Sequence, residues 1–265
     1  MKDIGTKYEN TWCPGCYNFM ILEAVKRTIG NLISKGYKHK DFVMVTGIGC
    51  HAKIFDYLNL SGFYGLHGRP LPVALGMKIG NPKLNVICFA GDGDTYSEGL
   101  AHFIQAGKYN ANITLFVHNN QSFSLTTGQA TSTSQQGFKT KSEPMGNFNK
   151  PLDPLKLALA SGATFVARCN SKDIKHTQQI MEQAIKHKGF SFVDIIQTCV
   201  VFNEEVRHLT DHTYKIKNGH DMKKAIELTN KWDYNSGKGK IPVGVFYQEK
   251  RKTLEEEWPQ LKHGR

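Results

Sequence analysis

Val86-Ile87-Cys88-Phe89-Ala90-Gly91-Asp92-Gly93-Asp94 is the stretch on which the fold turns. Five apolar residues in a row mark a strand buried on both faces, and the Gly-Asp-Gly-Asp that follows ends it abruptly. Downstream, 97–109 fits a helix and 113–117 another buried strand. Upstream, Phe42–Thr46 reads as a strand broken by Gly47 and Gly49, and 71–79 as a short helix that tolerates Pro72 in its first turn. Leu22, Val25, Ile29, Leu32 and Ile33 recur at helical spacing, so a helix begins soon after Cys16. Further on, 163–167 and 192–196 are strand-like, separated by a helix beginning near Ser171, whose hydroxyl suits an N-cap. Buried strands alternating with helices predict an α/β domain: a mainly parallel sheet with helices on both faces. Residues 1–203 make that domain. The polar, charged tail 204–265 is an extension whose apolar run 241–247 packs back on the same domain or on a partner subunit. There is no internal repeat.

In such a sheet, ligands bind beyond the carboxyl ends of the strands. Three loops leave strands here, at 47–53, 91–98 and 119–129, and they lie side by side. The last opens a polar segment, 119–154, without apolar period, and loops of that length in compact domains are usually functional or disordered. Asp92 stands at a strand end between two glycines that let backbone approach a bulky anion, and the helix that follows turns its amides toward phosphate. A carboxylate there supplies a hard oxygen to Mg²⁺, an ion held by one or two protein oxygens, water and the ligand's phosphates. A second oxygen comes from Asn119-Asn120 at the next strand end; Asn120 lies 28 residues beyond Asp92, room for one helix and one strand. A bare Gly-Asp-Gly is also an ordinary tight turn; the spaced asparagines and the strand context favour a metal–diphosphate site over it. The pattern resembles that of the thiamine-diphosphate enzymes, Gly-Asp-Gly followed within ~30 residues by Asn. The resemblance implies that Asp92 and Asn120 bind Mg²⁺ through their side chains and Ser122 through its carbonyl.

Six cysteines stand at 13, 16, 50, 88, 169 and 199. Cys88 and Cys169 fall in or beside strands and read as core residues. Cys13-Pro14-Gly15-Cys16 enters a helix, Cys50 sits in a site loop, and Cys199 follows the strand 192–196, so four thiols could meet at the cofactor edge. Four thiolates suit either Zn²⁺ or an iron–sulfur cluster, and the residues alone do not choose; a redox centre beside thiamine chemistry has a use, whereas zinc there would be structural.

A longer series of motifs occurs in order: Trp12-Cys13-Pro14-Gly15-Cys16, Gly47-Ile48-Gly49-Cys50, Leu66-His67-Gly68-Arg69-Pro70-Leu71-Pro72, the Gly-Asp-Gly-Asp at 91–94, Leu125-Thr126-Thr127-Gly128-Gln129, Gly162-Ala163-Thr164-Phe165-Val166-Ala167-Arg168, and Asp194 through Cys199-Val200. Together, and with the tail from Asp221 to Trp258, they are similar to the β subunit of 2-oxoacid:ferredoxin oxidoreductases over nearly the whole chain. The resemblance implies that Cys13, Cys16, Cys50 and Cys199 hold a 4Fe-4S cluster. It implies cofactor contacts at Gly49, Cys50, His51, His67, Gly91, Asp92, Gly93, Asp94, Asn120, Ser122, Leu125 and Thr126. It implies substrate-side or catalytic roles for Lys53, facing the substrate carboxylate, for Leu125, shaping the pocket, and for His67 near the cofactor, a residue that could equally be a hydrogen-bonded structural histidine. His102 and His118 read as structural. Tyr17 replaces a common Gly, and Ser122-Phe123-Ser124 replaces an aliphatic-Tyr-Gly run, which alters the pocket's shape while leaving a carbonyl for Mg²⁺.

The implied reaction is oxidative decarboxylation of a 2-oxo acid to acyl-CoA, with electrons leaving singly through the cluster to ferredoxin. The glutamate that activates the aminopyrimidine ring, and the CoA contacts, would come from an α subunit (alone or fused to a γ chain), so this chain alone is expected to be inactive. Two other readings stay open: a thiamine-dependent decarboxylase or synthase without electron transfer, and a zinc-stabilised α/β module without catalysis. The net charge of +11 is spread over helices and loops with no nucleic-acid motif; it reads as a solvated basic surface or as a face for an acidic ferredoxin. The start is polar and no apolar run approaches the length of a membrane span, so a cytoplasmic protein without membrane or nucleic-acid partners is expected.

Overall fold

In the computed structural model, residues 3–217, 219–235 and 240–262 are described; positions 218, 236–239 and 263–265 of the expected tail lie outside them. The strands are β1 (Phe42–Thr46), β2 (Ser61–Tyr64), β3 (Asn85–Gly91), β4 (Ile113–Asn119), β5 (Phe165–Asn170), β6 (Ser191–Ile196), β7 (Thr213–Lys215) and β8 (Ile241–Gln248). The helices are α1 (Asn18–Ser34), α2 (Ile54–Tyr57), α3 (Pro70–Gly80), α4 (Leu100–Tyr109), α5 (Pro154–Ser161), α6 (Ile174–Lys186), α7 (Arg207–Asp211), α8 (Met222–Thr229), α9 (Leu254–Glu257) and α10 (Pro259–Lys262). One eight-stranded sheet runs in the order β2-β1-β3-β4-β6-β5-β8-β7. Every neighbouring pair is parallel except β5 and β8.

Each central strand is buried on both faces, as its unbroken apolar run requires. Val43 and Val45 of β1 join Val86, Cys88, Leu115 and Val117 in a core closed by α3, α4 and α5. The alternate residues Phe42 and Met44 join Ile87, Phe89 and Phe116 in a second core closed by α1 and α6. Within the tail, β8 lies against β5, and Trp232, Tyr234 and Phe246 enter the first core.

The expected helix over 97–109 starts with a π-helical turn, Gly93–Glu98, before the regular α4. The helix expected from Ser171 begins at Ile174. Its N-cap is Asp173, whose carboxylate accepts the His176 N–H at 3.0 Å, a stronger cap than a hydroxyl at a positive helix end. Between β4 and α5 the chain has no helix or ladder strand, in keeping with its polar composition.

Because β1, β3, β4 and β6 are consecutive in the sheet, the loops at their carboxyl ends converge on one edge. No described helix is long and apolar enough to cross a membrane.

Candidate active site

A cleft open to solvent, with ≈ 490 Å³ of space between its atoms, lies at that edge. It is lined by Gly49, Cys50, His51, His67, Gly91, Asp92, Gly93, Asp94, Asn120, Ser122, Leu125 and Thr126, that is, by every residue expected to touch the cofactor. Lys53 is elsewhere: it lines an adjoining cavity, and its amine donates to the Thr11 carbonyl at 3.1 Å.

Asp92 is 2% exposed at the exit of β3. Its Oδ2 accepts the Thr131 hydroxyl at 2.5 Å and the Thr133 hydroxyl at 2.9 Å. Among the described residues no cation lies within ion-pair distance of it. Burial therefore pushes its carboxyl up to about 6, with the two hydroxyls pulling the other way. A buried carboxylate with hydroxyl partners and no countercharge is chemically suited to a divalent cation.

The adjacent asparagines separate by direction. Asn119 faces the interior, its Nδ2 donating to Asp194 at 3.0 Å and its Oδ1 accepting Thr133 at 3.1 Å. Asn120 lines the cleft, its Oδ1 accepting the Ser122 N–H at 3.0 Å. Between Asn120 and Ser122 the chain turns at Gln121, with φ of 56°. Such a backbone is unfavourable for a side chain of this size and persists only when its surroundings hold it. Here Ser134 donates to its carbonyl at 2.6 Å, Asn203 donates to the Asn120 and Gln121 carbonyls, and the Gln121 amide donates to the Tyr234 carbonyl at 2.8 Å.

Asp94 has what Asp92 lacks. His51 Nε2 stands 3.3 Å away, His67 Nδ1 3.0 Å, and the Gly68 N–H donates at 2.6 Å. Burial alone would raise the Asp94 carboxyl, but these partners outweigh it and hold it well below the usual carboxylate range. Its contact with Asp94 in turn raises His67. The packing explains two glycines. A Cβ on Gly47 would lie 1.8 Å from Asp94 Oδ2, and one on Gly91 2.8 Å from the His51 ring. Phe123 covers Gly93 and meets His67 edge-on with centroids 5.8 Å apart, so the unusual Ser-Phe-Ser run places an aromatic wall in the cleft. Leu125 is 45% exposed at its mouth.

Cys13, Cys16, Cys50 and Cys199 line the adjoining cavity together; Cys88 and Cys169 are in the core. The Trp12 indole N–H donates to the Cys50 carbonyl at 2.6 Å, pinning the N-terminal Cys-Pro-Gly-Cys turn against the β1 loop. The Phe202 N–H donates to Cys199 Sγ at 3.4 Å. Burial first, then the neighbouring thiols, pushes Cys50 up to about 11. Burial raises Cys16 as well, and thiols raised in this way become thiolates most readily around a cationic centre. Among the described residues no three His, Cys, Asp or Glu side chains close around one point. Asn18, Cys50, Asn120, Ser124 and Gln197 line both cavities and form the wall between them.

Residues 47–195 match the family model for the thiamine pyrophosphate enzyme C-terminal TPP binding domain, and residues 194–263 match the model for the C-terminal part of the pyruvate ferredoxin oxidoreductase beta subunit. The chain is 40% identical to the 2-oxoacid:ferredoxin oxidoreductase subunit beta of Saccharolobus solfataricus, over 92% of its own length and 84% of that protein's. The chain belongs to the β subunits of the 2-oxoacid:ferredoxin oxidoreductases. The β subunit is also 31% identical to the 2-oxoglutarate synthase subunit KorB of Methanocaldococcus jannaschii, over 92% of this chain and 90% of that one. A solved 2-oxoglutarate:ferredoxin oxidoreductase from Magnetococcus marinus, with 2-oxoglutarate, coenzyme A and succinyl-CoA bound, superposes with a TM-score of 0.91 at 30% identity, over 98% of this chain and 88% of that one.

Several residues of the β subunit's site carried no signal in the sequence. His118, read as structural, is on β4 and lines the cleft; burial pushes it well below the usual histidine range. Thr131, Thr133 and Asn203 reach the site from the long loop and from the last residue before the tail. Their residue types are common in loops, and only the convergence of separate segments gives them a place here.

Proposed function

We propose that this β subunit binds thiamine diphosphate and Mg²⁺ in the cleft and a 4Fe-4S cluster in the thiol cavity, and that with an α subunit it converts a 2-oxo acid, coenzyme A and two oxidised ferredoxins into an acyl-CoA, CO₂, a proton and two reduced ferredoxins. The carrying observation is the shared wall: the two cavities have five lining residues in common, so electrons released in one have a short path to the other. Asp92, Asn120 and the Ser122 carbonyl would hold the metal, with Thr131 and Thr133 orienting the carboxylate. Gly91 and Gly93 let the diphosphate approach the backbone at the end of β3. Bound thiamine diphosphate supplies an electron sink for decarboxylation. Cys13, Cys16, Cys50 and Cys199 would ligate the cluster, a one-electron acceptor. His67 and Leu125 face the cleft's mouth, where Leu125 shapes the substrate's side-chain pocket. Lys53, on the thiol side, would reach a substrate carboxylate only by leaving Thr11. The α subunit would cover the cleft and supply the carboxylate for the pyrimidine ring and the CoA contacts.

The test is anaerobic co-expression with the partner subunit, followed by visible spectra. A broad band near ~400 nm from thiolate-to-iron charge transfer, bleached when a 2-oxo acid and CoA are added together, is the expected result. A colourless protein carrying stoichiometric zinc would overturn the reading. Full turnover by the purified single chain would overturn the requirement for a partner.

A further inference from the structure

Asn18 opens α1, is 1% exposed, and belongs to the wall between cleft and thiol cavity. Its Oδ1 lies 2.7 Å from His118 Nδ1. Its Nδ2 is buried without a hydrogen-bond partner, in a wall of the cavity that Cys16 also lines; burial raises the Cys16 thiol, and the Asn18 backbone N–H and side-chain amide pull it the other way. A thiolate bound to iron carries lone pairs and no proton, so only N–H groups can face it favourably. This orients the amide, nitrogen toward Cys16 and oxygen toward His118. The oxygen then needs a donor, which places the His118 proton on Nδ1 and leaves Nε2 as an acceptor. Nε2 is buried without a partner, and His118 lines the cofactor cleft. The His51 ring is 5.9 Å away and the Phe89 ring 6.2 Å, centroid to centroid, so the imidazole is packed in place.

We propose that the Asn18 side-chain amide donates to the Cys16 thiolate and raises the reduction potential of the cluster, and that His118 is a positioning residue that holds this amide from the floor of the cofactor cleft. The inference rests on the cluster reading above. On reduction the cluster takes one electron and no bond is made or broken. The amide proton stays on nitrogen, and the added negative charge, shared by the sulfurs, strengthens the N–H···S contact. Hydrogen bonds to ligand sulfur are among the factors that set a cluster's potential. His118 thereby joins the two cavities mechanically, with one ring edge on the cleft and the other on the amide that faces the cluster.

The experiment is a redox titration of the complete, anaerobically purified enzyme, with dithionite as electron donor and the reduced cluster read by electron paramagnetic resonance. Iron and labile sulfide are assayed beside it. Asn18→Leu should keep the cluster and lower its midpoint. At a fixed potential the reduced-to-oxidised ratio should fall about tenfold, ~59 mV for a one-electron couple. His118→Phe, which keeps the ring's bulk and every cysteine, should shift the midpoint in the same direction by less. Unchanged midpoints in both variants, with full iron content, would overturn the proposal. A shift in Asn18→Leu with none in His118→Phe would overturn the positioning role. If Asn18→Leu loses its cluster, His118→Phe, which changes no residue lining the thiol cavity, decides alone. Absence of iron and sulfide from the wild-type enzyme would instead overturn the proposed function.

Discussion

Asp194 lies within β6, in the interior of the sheet, and Asp92 at the end of β3, on the sheet's carboxyl edge; they are 0% and 2% exposed. Asp194 is surrounded by its own chain. Arg168 Nε lies 3.5 Å from Oδ2, the Tyr234 hydroxyl donates to it at 2.7 Å, and Asn119 and Tyr96 donate to Oδ1 at 3.0 and 3.3 Å. The guanidinium is also enclosed by the Trp232, Tyr234 and Phe246 rings. Burial pushes the Asp194 carboxyl up against the pull of Arg168 and these donors. The pair is nonetheless ionised, since a guanidinium does not shed its proton and would otherwise stand buried alone. Asp92 has two hydroxyls and, among the described residues, no cation. The difference separates a charge the fold completes by itself from one left with hydroxyl partners alone. Thr133 and Asn119 connect the two, one hydroxyl lying within reach of both Asp92 and the Asn119 side chain that holds Asp194.

Breaking the completed pair should have the largest effect. Arg168→Met leaves Asp194 buried without its cation, and a loss of about 3–5 kcal/mol is expected, measured by urea unfolding. Adding Asp194→Leu to Arg168→Met should recover part of that loss. A cost below ~1 kcal/mol for the single substitution would mean that the buried pair is not the structural element described.

The incomplete site should respond to what completes it. Thiamine diphosphate with Mg²⁺, at a hundred times the dissociation constant, should stabilise the assembled enzyme by about 2.7 kcal/mol. The gain should vanish on chelation and be absent from Asp92→Asn, as followed by thermal unfolding. An equal gain in Asp92→Asn would remove Asp92 from the metal site.

An effect of similar size, on the order of 3 kcal/mol, should appear in metal-free protein as pH changes. The folded-state value of Asp92, about 6, lies above its ordinary 3.8. Between those values the native state binds more protons than the unfolded one, so this group's contribution is present below about pH 4 and is lost as pH rises to about 6. Asp92→Asn should therefore become more stable relative to wild type across that window and level off above it. A constant difference from pH 4 to pH 7 would show that Asp92 titrates normally.

Part of this contrast was legible in the sequence. Asp92 could be placed at a strand end from the apolar run before it and the glycines around it, and β1, β3, β4 and β6 came from similar runs. β2 could not be read, because Ser61–Tyr64 is exposed along its whole length and contains Gly62. Nor could α5, hidden at the end of the polar segment, or the short α7 and β7, which lack a full period. Asn119 and Asn120 are indistinguishable in sequence; adjacent side chains on an extended backbone point to opposite sides, so one meets Asp194 and the other the cleft.

The sequence by itself determined the strand-and-helix alternation, the loops that carry chemistry, and which thiols and oxygens were available as ligands. Buried strands, tight exits and ligand types are local properties, written in neighbouring residues. Only the tertiary structure decided that the thiol cavity and the cofactor cleft share a wall, that Lys53 lies on the thiol side, that His118 reaches the cleft and that the tail's Tyr234 holds both Asp194 and the Gln121 turn. These depend on strand order and on contacts between residues far apart in the chain, for which no local pattern of residue types exists.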